Sequence, residues 1–241
     1  MFTISIQFFG ELLNFLAQAH QQQPIQYTTD QLASIKDAIE ALGVPHTEPS
    51  WVFVNGNAVD FSYRLQANDQ VKVYPANFQQ DAPLCLRPAR QNYQFMVDAN
   101  VRAVAKYLRL LGFYTVTDDN LPDEKIAKLA AEKDYIVLTR DIGLLKRKNV
   151  VHGCFLHSED TETQLQAVVE RYNLKPYIKA FSLCLVCNGK IQLIDKQFIA
   201  QKVPTDVYET LNEFYTCPDC ERVYWKGSHY DKLQQKLKGW T

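Results

Sequence analysis

A chain of 241 residues with 46% hydrophobic content has the apolar material for one large or two to three small domains, which excludes a disordered protein. Its net charge of −1 is unevenly spread: residues 1–80 carry three Lys/Arg against seven Asp/Glu and residues 81–241 carry 23 against 20, so only the second part leans towards polyanions. No apolar stretch approaches the ~20 residues of a membrane span, and the first twenty residues lack a basic leader region and carry Glu11, which points to a cytoplasmic protein with no membrane partner.

Alternating Phe2, Ile4, Ile6 and Phe8 predict an opening strand. A helix-like run from Glu11 to Ala19 follows, then a second from Ile35 to Leu42 closed by Gly43. Trp51 to Val54 reads as a strand turned by Asn55-Gly56-Asn57, and Gln70 to Tyr74 as another. A small sheet with a helix across it accounts for residues 1–76. This order, with the Phe8-Phe9-Gly10 turn, resembles the β-grasp, ubiquitin-like sulfur carriers of cofactor synthesis. Such carriers need a free Gly-Gly tail, whereas the matching end here is Val73-Tyr74-Pro75-Ala76 and the chain continues. A docking or stabilising module is therefore expected in place of a carrier.

Residues 77–92 are polar, hold prolines and show no period, as a linker would. From 93 to 178 strand and helix alternate: strand 94–98, helix 100–111 stopped by Gly112, strand 113–117, helix 122–132, strand 135–139, short helix 142–147, strand 150–156 and helix 161–172. Strands alternating with short helices predict an α/β domain, a parallel sheet with helices on both faces. The remaining 179–241 hold paired cysteines and end in a charged, helical tail.

Those cysteines form two Cys-x-x-Cys knuckles, Cys184 with Cys187 and Cys217 with Cys220, separated by 29 residues. Each knuckle places two sulfurs on one turn, and two knuckles complete the tetrahedral shell of a structural zinc ion. The strand-like Lys190 to Ile194 between them suits a zinc ribbon. Cys85 and Cys154 lie far off, which favours metal ligation in a reducing compartment over a disulfide framework.

A second set of residues carries different chemistry. Asp98 closes the run Phe95-Met96-Val97 and Asp141 closes Ile136 to Arg140, and ligands of open α/β sheets gather outside such strand ends. Asp118 or Asp119 follows the second strand, Asp123 lies in the first turn of a helix and Asp160 precedes another. Singly, Asp123 reads as a dipole-compensating acid and Asp118, Asp119 and Asp160 as turn or cap residues. As a set they offer the carboxylates that divalent-ion cleavage of a phosphodiester requires.

Phe95-Met96-Val97-Asp98, Leu108-Arg109-Leu110-Leu111-Gly112-Phe113, Asp123 and Leu138-Thr139-Arg140-Asp141 together resemble the Mut-seven C-terminal RNase family, a PIN-like nuclease group. So do Cys184-Leu185-Val186-Cys187-Asn188-Gly189, Cys217-Pro218-x-Cys220 and Tyr224-Trp225-Lys226-Gly227. Some members are similar in carrying an N-terminal ubiquitin-like domain. The resemblance implies a PIN-like fold, Mg²⁺ or Mn²⁺, and RNA hydrolysis, with Asp98, Asp123 and Asp141 at the acidic positions and Asp160 as a fourth candidate. Asp118 and Asp119 compete with Asp123 for the second ligand.

Arg102, Lys106 and Arg109 recur at i, i+4 and i+7 on one helix face, and Arg140, Lys146, Arg147 and Lys148 flank Asp141. Phosphate neutralisation by such cations supplies non-specific nucleic-acid affinity. Lys226, within the aromatic run from Tyr224 to Tyr230, adds a stacking platform for single-stranded RNA, and packing against the zinc domain is the competing role of Tyr224 and Trp225. Arg140, between strand and acid, is the candidate for orienting a carboxylate or meeting the scissile phosphate. The expectation is a metal-dependent, endonucleolytic ribonuclease whose first domain meets a protein partner. Two other readings are an RNA-binding adaptor whose acidic rim no longer cleaves, and a sulfur carrier.

Overall fold

Ile4, Ile6 and Phe8 are buried and their neighbours are not, the period-2 signature of strand β1 (Phe2–Phe8). The computed structural model describes residues 1–29, 33–76, 78, 84–87 and 90–240. In chain order β1 is followed by β2 (Ile25–Thr29), α1 (Ile35–Ala41), β3 (Trp51–Val54), β4 (Asn57–Val59) and β5 (Gln70–Tyr74). Next come β6 (Phe95–Val97), α2 (Ala103–Leu110), β7 (Thr115–Thr117), α3 (Asp123–Lys133), β8 (Ile136–Thr139), α4 (Ile142–Leu145), β9 (Gly153–Phe155) and α5 (Thr161–Arg171). The chain ends with β10 (Gln192–Ile194), α6 (Thr205–Thr210), β11 (Phe214–Thr216), β12 (Val223–Trp225) and α7 (Ser228–Leu237). Contacts divide the chain into two compact units, Met1–Asn92 with Pro122–Phe155, and Tyr93–Leu121 with Leu156–Thr241.

In the first unit the strands lie in the order β2-β1-β5-β3-β4, with β1 and β5 parallel and the other pairs antiparallel. Helix α1 buries Ile35, Ala38 and Ile39 in the same core as Ile4, Ile6, Val52 and Val73. Its start is fixed by a capping box, in which the Asp37 amide donates to Ser34 Oγ and the Ser34 amide donates to Asp37 Oδ2. This is a β-grasp, ubiquitin-like sheet. Two expectations change. The helix-like run from Glu11 to Ala19 is a pair of 3-10 turns, Gly10–Phe15 and Gln18–His20, because Gly10 enters with φ at +59° and Ala17 is extended. Asn57, expected in a turn, opens strand β4, since Asn55 and Gly56 supply both positive-φ positions of a two-residue hairpin loop.

Of the stretch expected as a linker, residues 77, 79–83, 88 and 89 lie outside the described residues. Its described part is anchored: the Leu86 amide donates to Ser50 O, and Arg90 pairs with Asp134. The same unit holds β8 and β9, paired in parallel with Thr139 beside Phe155. All four residues of β8 are buried, as a strand covered on both faces must be.

The second unit holds the parallel pair β6 and β7, flanked by α2 and α5. Strands β6 and β7 in this unit, and β8 and β9 in the first, are the parallel pairs of the PIN-like α/β core, with β7 and β9 as end strands. Gly112, after α2, takes φ of +92°, and a Cβ there would stand 2.4 Å from Lys179 O, so the turn out of α2 requires glycine. Strands β10, β11 and β12 form an antiparallel meander that carries the cysteines. Among the described residues no helix is long and apolar enough to cross a membrane.

Candidate functional site

The two cysteine knuckles are copies of one turn. In each, the first cysteine's amide donates to the carbonyl five residues on (Cys184 to Gly189, Cys217 to Arg222). Its own carbonyl accepts from the amide four residues on (Asn188, Glu221), and that fourth residue has positive φ. This winding aims both sulfurs of a knuckle inward. Cys184 and Cys220 sulfurs are 3.6 Å apart, Cys187 and Cys217 sulfurs 3.4 Å, and all four lie within 4.8 Å of one another. A tetrahedron with Zn–S bonds of ~2.3 Å has edges of roughly 3.8 Å, so the residues present fit a zinc ion. Cys184 and Cys217 are buried. A Cβ on Gly189 would stand 2.5 Å from the Cys217 sulfur, so the knuckles approach this closely only with glycine there.

The knuckles are tied to β7. Thr115 donates its amide to Asn188 Oδ1, and Asn188 Nδ2 donates to Thr115 O, both at 2.8 Å, so the Asn188 side chain pairs with the end strand as a peptide would. Arg109 completes the tie: Nε and Nη2 donate to Thr115 O (3.0 and 2.7 Å) and Nη1 donates to Leu185 O and Val186 O (both 3.0 Å). Arg109 is only 8% exposed, and burial lowers its pKa. The helical period set Arg109 among the phosphate cations. Its depth corrects that, since its guanidinium is turned to three backbone carbonyls and serves the zinc ribbon.

Asp141 is held by its own sequence. The Asp141 amide donates to the buried Thr139 Oγ1 at 2.9 Å, and Asp141 Oδ1 accepts from Gly143 (2.6 Å) and Leu144 (3.3 Å) as the N-cap of α4. Oδ2 stays outside that cap. Asp123 opens α3 with the Arg147 guanidinium 3.8 Å away. Asp98 follows β6 and accepts from Asn100 Nδ2 at 2.7 Å. Asp123 and Asp141 belong to the first unit and Asp98 to the second. Asp118 accepts from the Asn120 amide and Asp119 pairs with Arg102. Asp160, the fourth candidate, is an N-cap: its Oδ2 accepts from the amide and the hydroxyl of Thr163, both at 2.8 Å, and those bonds lower its pKa. In the structure Asp160 serves as the cap of helix α5.

The cations separate in the same way. Arg102 and Lys106 line a cleft of about 500 Å³ with Thr117, Asp118, Asp119 and Asn120. Lys146 is corrected: its Nζ donates to Glu40 O at 2.7 Å in the ubiquitin-like module. Lys226 pairs with Glu213 at 3.0 Å and lies over the Tyr215 ring. Arg140 follows β8 and is half-buried. His152 is no phosphate cation: burial, then Arg90 and Arg87, push its pKa down to about 4, so the ring is neutral near neutral pH. In the aromatic run, Tyr224 is a packing residue, its hydroxyl 3.0 Å from the Cys184 sulfur and accepting from the Leu185 amide.

A ubiquitin-like sheet, a PIN-like α/β core and a four-cysteine ribbon define a nuclease-like protein with an appended β-grasp domain. Residues 93–237 match the model of the Mut7-C RNAse domain and residues 1–81 that of the Mut7-C ubiquitin domain, so the chain belongs to the Mut7-C RNase family. No curated protein and no solved structure matches it. The family supports a nuclease-like function; its RNase domain suggests RNA binding and its ubiquitin-like domain suggests protein interaction.

Proposed function

We propose that this protein is a metal-dependent ribonuclease that hydrolyses phosphodiester bonds within single-stranded RNA. The observation that carries the reading is Asp141: in a chain of an RNase family, this carboxylate is fixed at a strand end by Thr139, Gly143 and Leu144 with Oδ2 outside the cap. Asp98, Asp123 and Asp141 supply the hard oxygen donors that Mg²⁺ or Mn²⁺ prefers. Such an ion, when bound, neutralises phosphate charge and acidifies a water. The chain's own residues do the rest. The Asp141 cap holds one carboxylate in a single rotamer, Arg147 beside Asp123 orients a second, and Arg140 meets the scissile phosphate. Arg102 and Lys106 hold flanking phosphates along their cleft.

Two sets of substitutions test the assignment. Asp98→Asn and Asp123→Asn each lower metal-dependent cleavage of single-stranded RNA at least a hundredfold, which is about 2.7 kcal/mol of transition-state stabilisation. Asp160→Asn keeps cleavage within twofold, because asparagine caps a helix as well as aspartate does. Wild-type rates in Asp98→Asn, or a loss in Asp160→Asn equal to the others, would contradict the ligand set.

A further inference from the structure

The loop between α1 and β3 has the composition of a surface turn, Val-Pro-His-Thr-Glu-Pro-Ser, yet every residue from Val44 to Ser50 is buried. Two of them are titratable, His46 at 5% and Glu48 at 1% exposure. What covers them is the segment of the RNase domain that ends in β9. Glu48 Oε1 accepts from the Phe155 amide at 2.8 Å, and His46 Nε2 lies 2.8 Å from Val150 O while Nδ1 lies 2.6 Å from Glu40 Oε1. Arg87 Nη1 donates to Val151 O at 2.9 Å, and Nη2 donates to His46 O. Phe15 meets Phe155 edge to face, with ring centres 5.2 Å apart. Gly153 makes room for the loop, since a Cβ there would stand 3.3 Å from Thr47 Cγ2 and 2.5 Å from Leu145 Cδ2.

These contacts share a pattern. Three run from a charged or imidazole side chain of the module to a backbone group of the RNase domain, and they fall on the end strand β9 and on Val150 and Val151 just before it. An end strand presents unpaired amides that invite another chain, and proteins cover such edges. Here a buried carboxylate takes the place of a neighbouring strand at Phe155. A buried polar side chain is costly without its hydrogen-bond partner, so this interface is built to stay closed. It also reaches the candidate site. Asp141 caps α4, Lys146 directly after α4 donates to Glu40 O, and the chain from there to Phe155 is held by His46, Arg87 and Glu48.

We propose that the ubiquitin-like module acts in cis, as a clamp whose 44–50 loop seals β9 and holds the segment that positions Asp141. The loop's partner is this chain's own RNase domain, and Glu48 is a positioning residue that touches no substrate. The activity arm rests on the nuclease reading; the sealing arm does not.

The test uses the full chain with Glu48→Ala and Glu48→Gln. In hydrogen exchange, Glu48→Ala speeds exchange of a peptide covering residues 146–156 at least tenfold and leaves one covering 103–115 unchanged. Its kcat for RNA falls at least fivefold with KM within twofold. Glu48→Gln, which keeps an oxygen for the Phe155 amide, restores both. Unchanged exchange in Glu48→Ala overturns the clamp, and faster exchange with unchanged kcat overturns the positioning role. Should Glu48→Ala not fold, Arg87→Ala carries the same expectations through Val151. A wild-type chain that cuts no RNA overturns the nuclease reading alone, because the exchange measurement still decides the seal.

Discussion

Asp141→Asn will leave the protein folded and cost at least a hundredfold in RNA cleavage, whereas Asp141→Ala will cost both cleavage and stability. The difference follows from the two oxygens. Oδ1 accepts from Gly143 and Leu144 as a helix cap, and an asparagine oxygen accepts those bonds equally well. Charge is what asparagine lacks, and charge is what a divalent ion needs from Oδ2. Alanine removes the cap too, for a further loss of about 1 kcal/mol. Circular-dichroism melts beside initial rates of cleavage separate the two effects. A melting point for Asp141→Asn within about 1 °C of wild type, a shift of well under 1 kcal/mol, accompanies the lost activity. Asn and Ala variants that lose activity only in proportion to their stability would assign Asp141 to capping alone.

The second large effect is expected at Arg109. Arg109→Ala leaves the carbonyls of Leu185 and Val186 without their shared donor and takes two donors from Thr115 O. Taking a charged donor from several backbone carbonyls at once costs about 3 kcal/mol or more, which for a chain of this size lowers the melting point by roughly 6–12 °C. Arg109→Lys recovers little, because an ammonium cannot fork towards carbonyls in two directions. Since Leu185 and Val186 lie between the first two cysteines, zinc release to a chromogenic chelator speeds up in both variants. If Arg109 were a phosphate cation instead, Arg109→Ala would weaken RNA binding with the melting point and zinc retention unchanged.

Much of the architecture was legible because few physical arrangements satisfy the pattern. Four thiols in two tight turns have one economical use, and the sulfurs converge as the spacing demands. The run Ile136 to Leu138 is apolar throughout because both faces of β8 are covered. Strand β2 was harder to read: Ile25–Thr29 buries only Ile25 fully, and a strand this exposed carries little alternation. Periodicity gave the face of α2 on which Arg102, Lys106 and Arg109 lie but not their depth, so a buried structural arginine resembled its exposed neighbours. Asn188 was visible only as part of a motif, since its use as a substitute strand partner depends on Thr115, 73 residues away. The 44–50 loop was illegible for the same reason: Glu48 finds its partner 107 residues on, and no local signal marks a polar loop as buried. Asp160 and Asp141 both precede helices and both cap with a single carboxylate oxygen, so what distinguishes them is position: Asp141 follows the end of strand β8, whereas Asp160 lies five residues beyond β9.

The most direct measurement is cleavage of end-labelled single-stranded RNA by the purified full-length protein in Mn²⁺, in Mg²⁺ and in EDTA. Internal products that form with either ion and vanish in EDTA are the predicted result. RNA that is bound but left intact under all three conditions would contradict the nuclease and favour an adaptor.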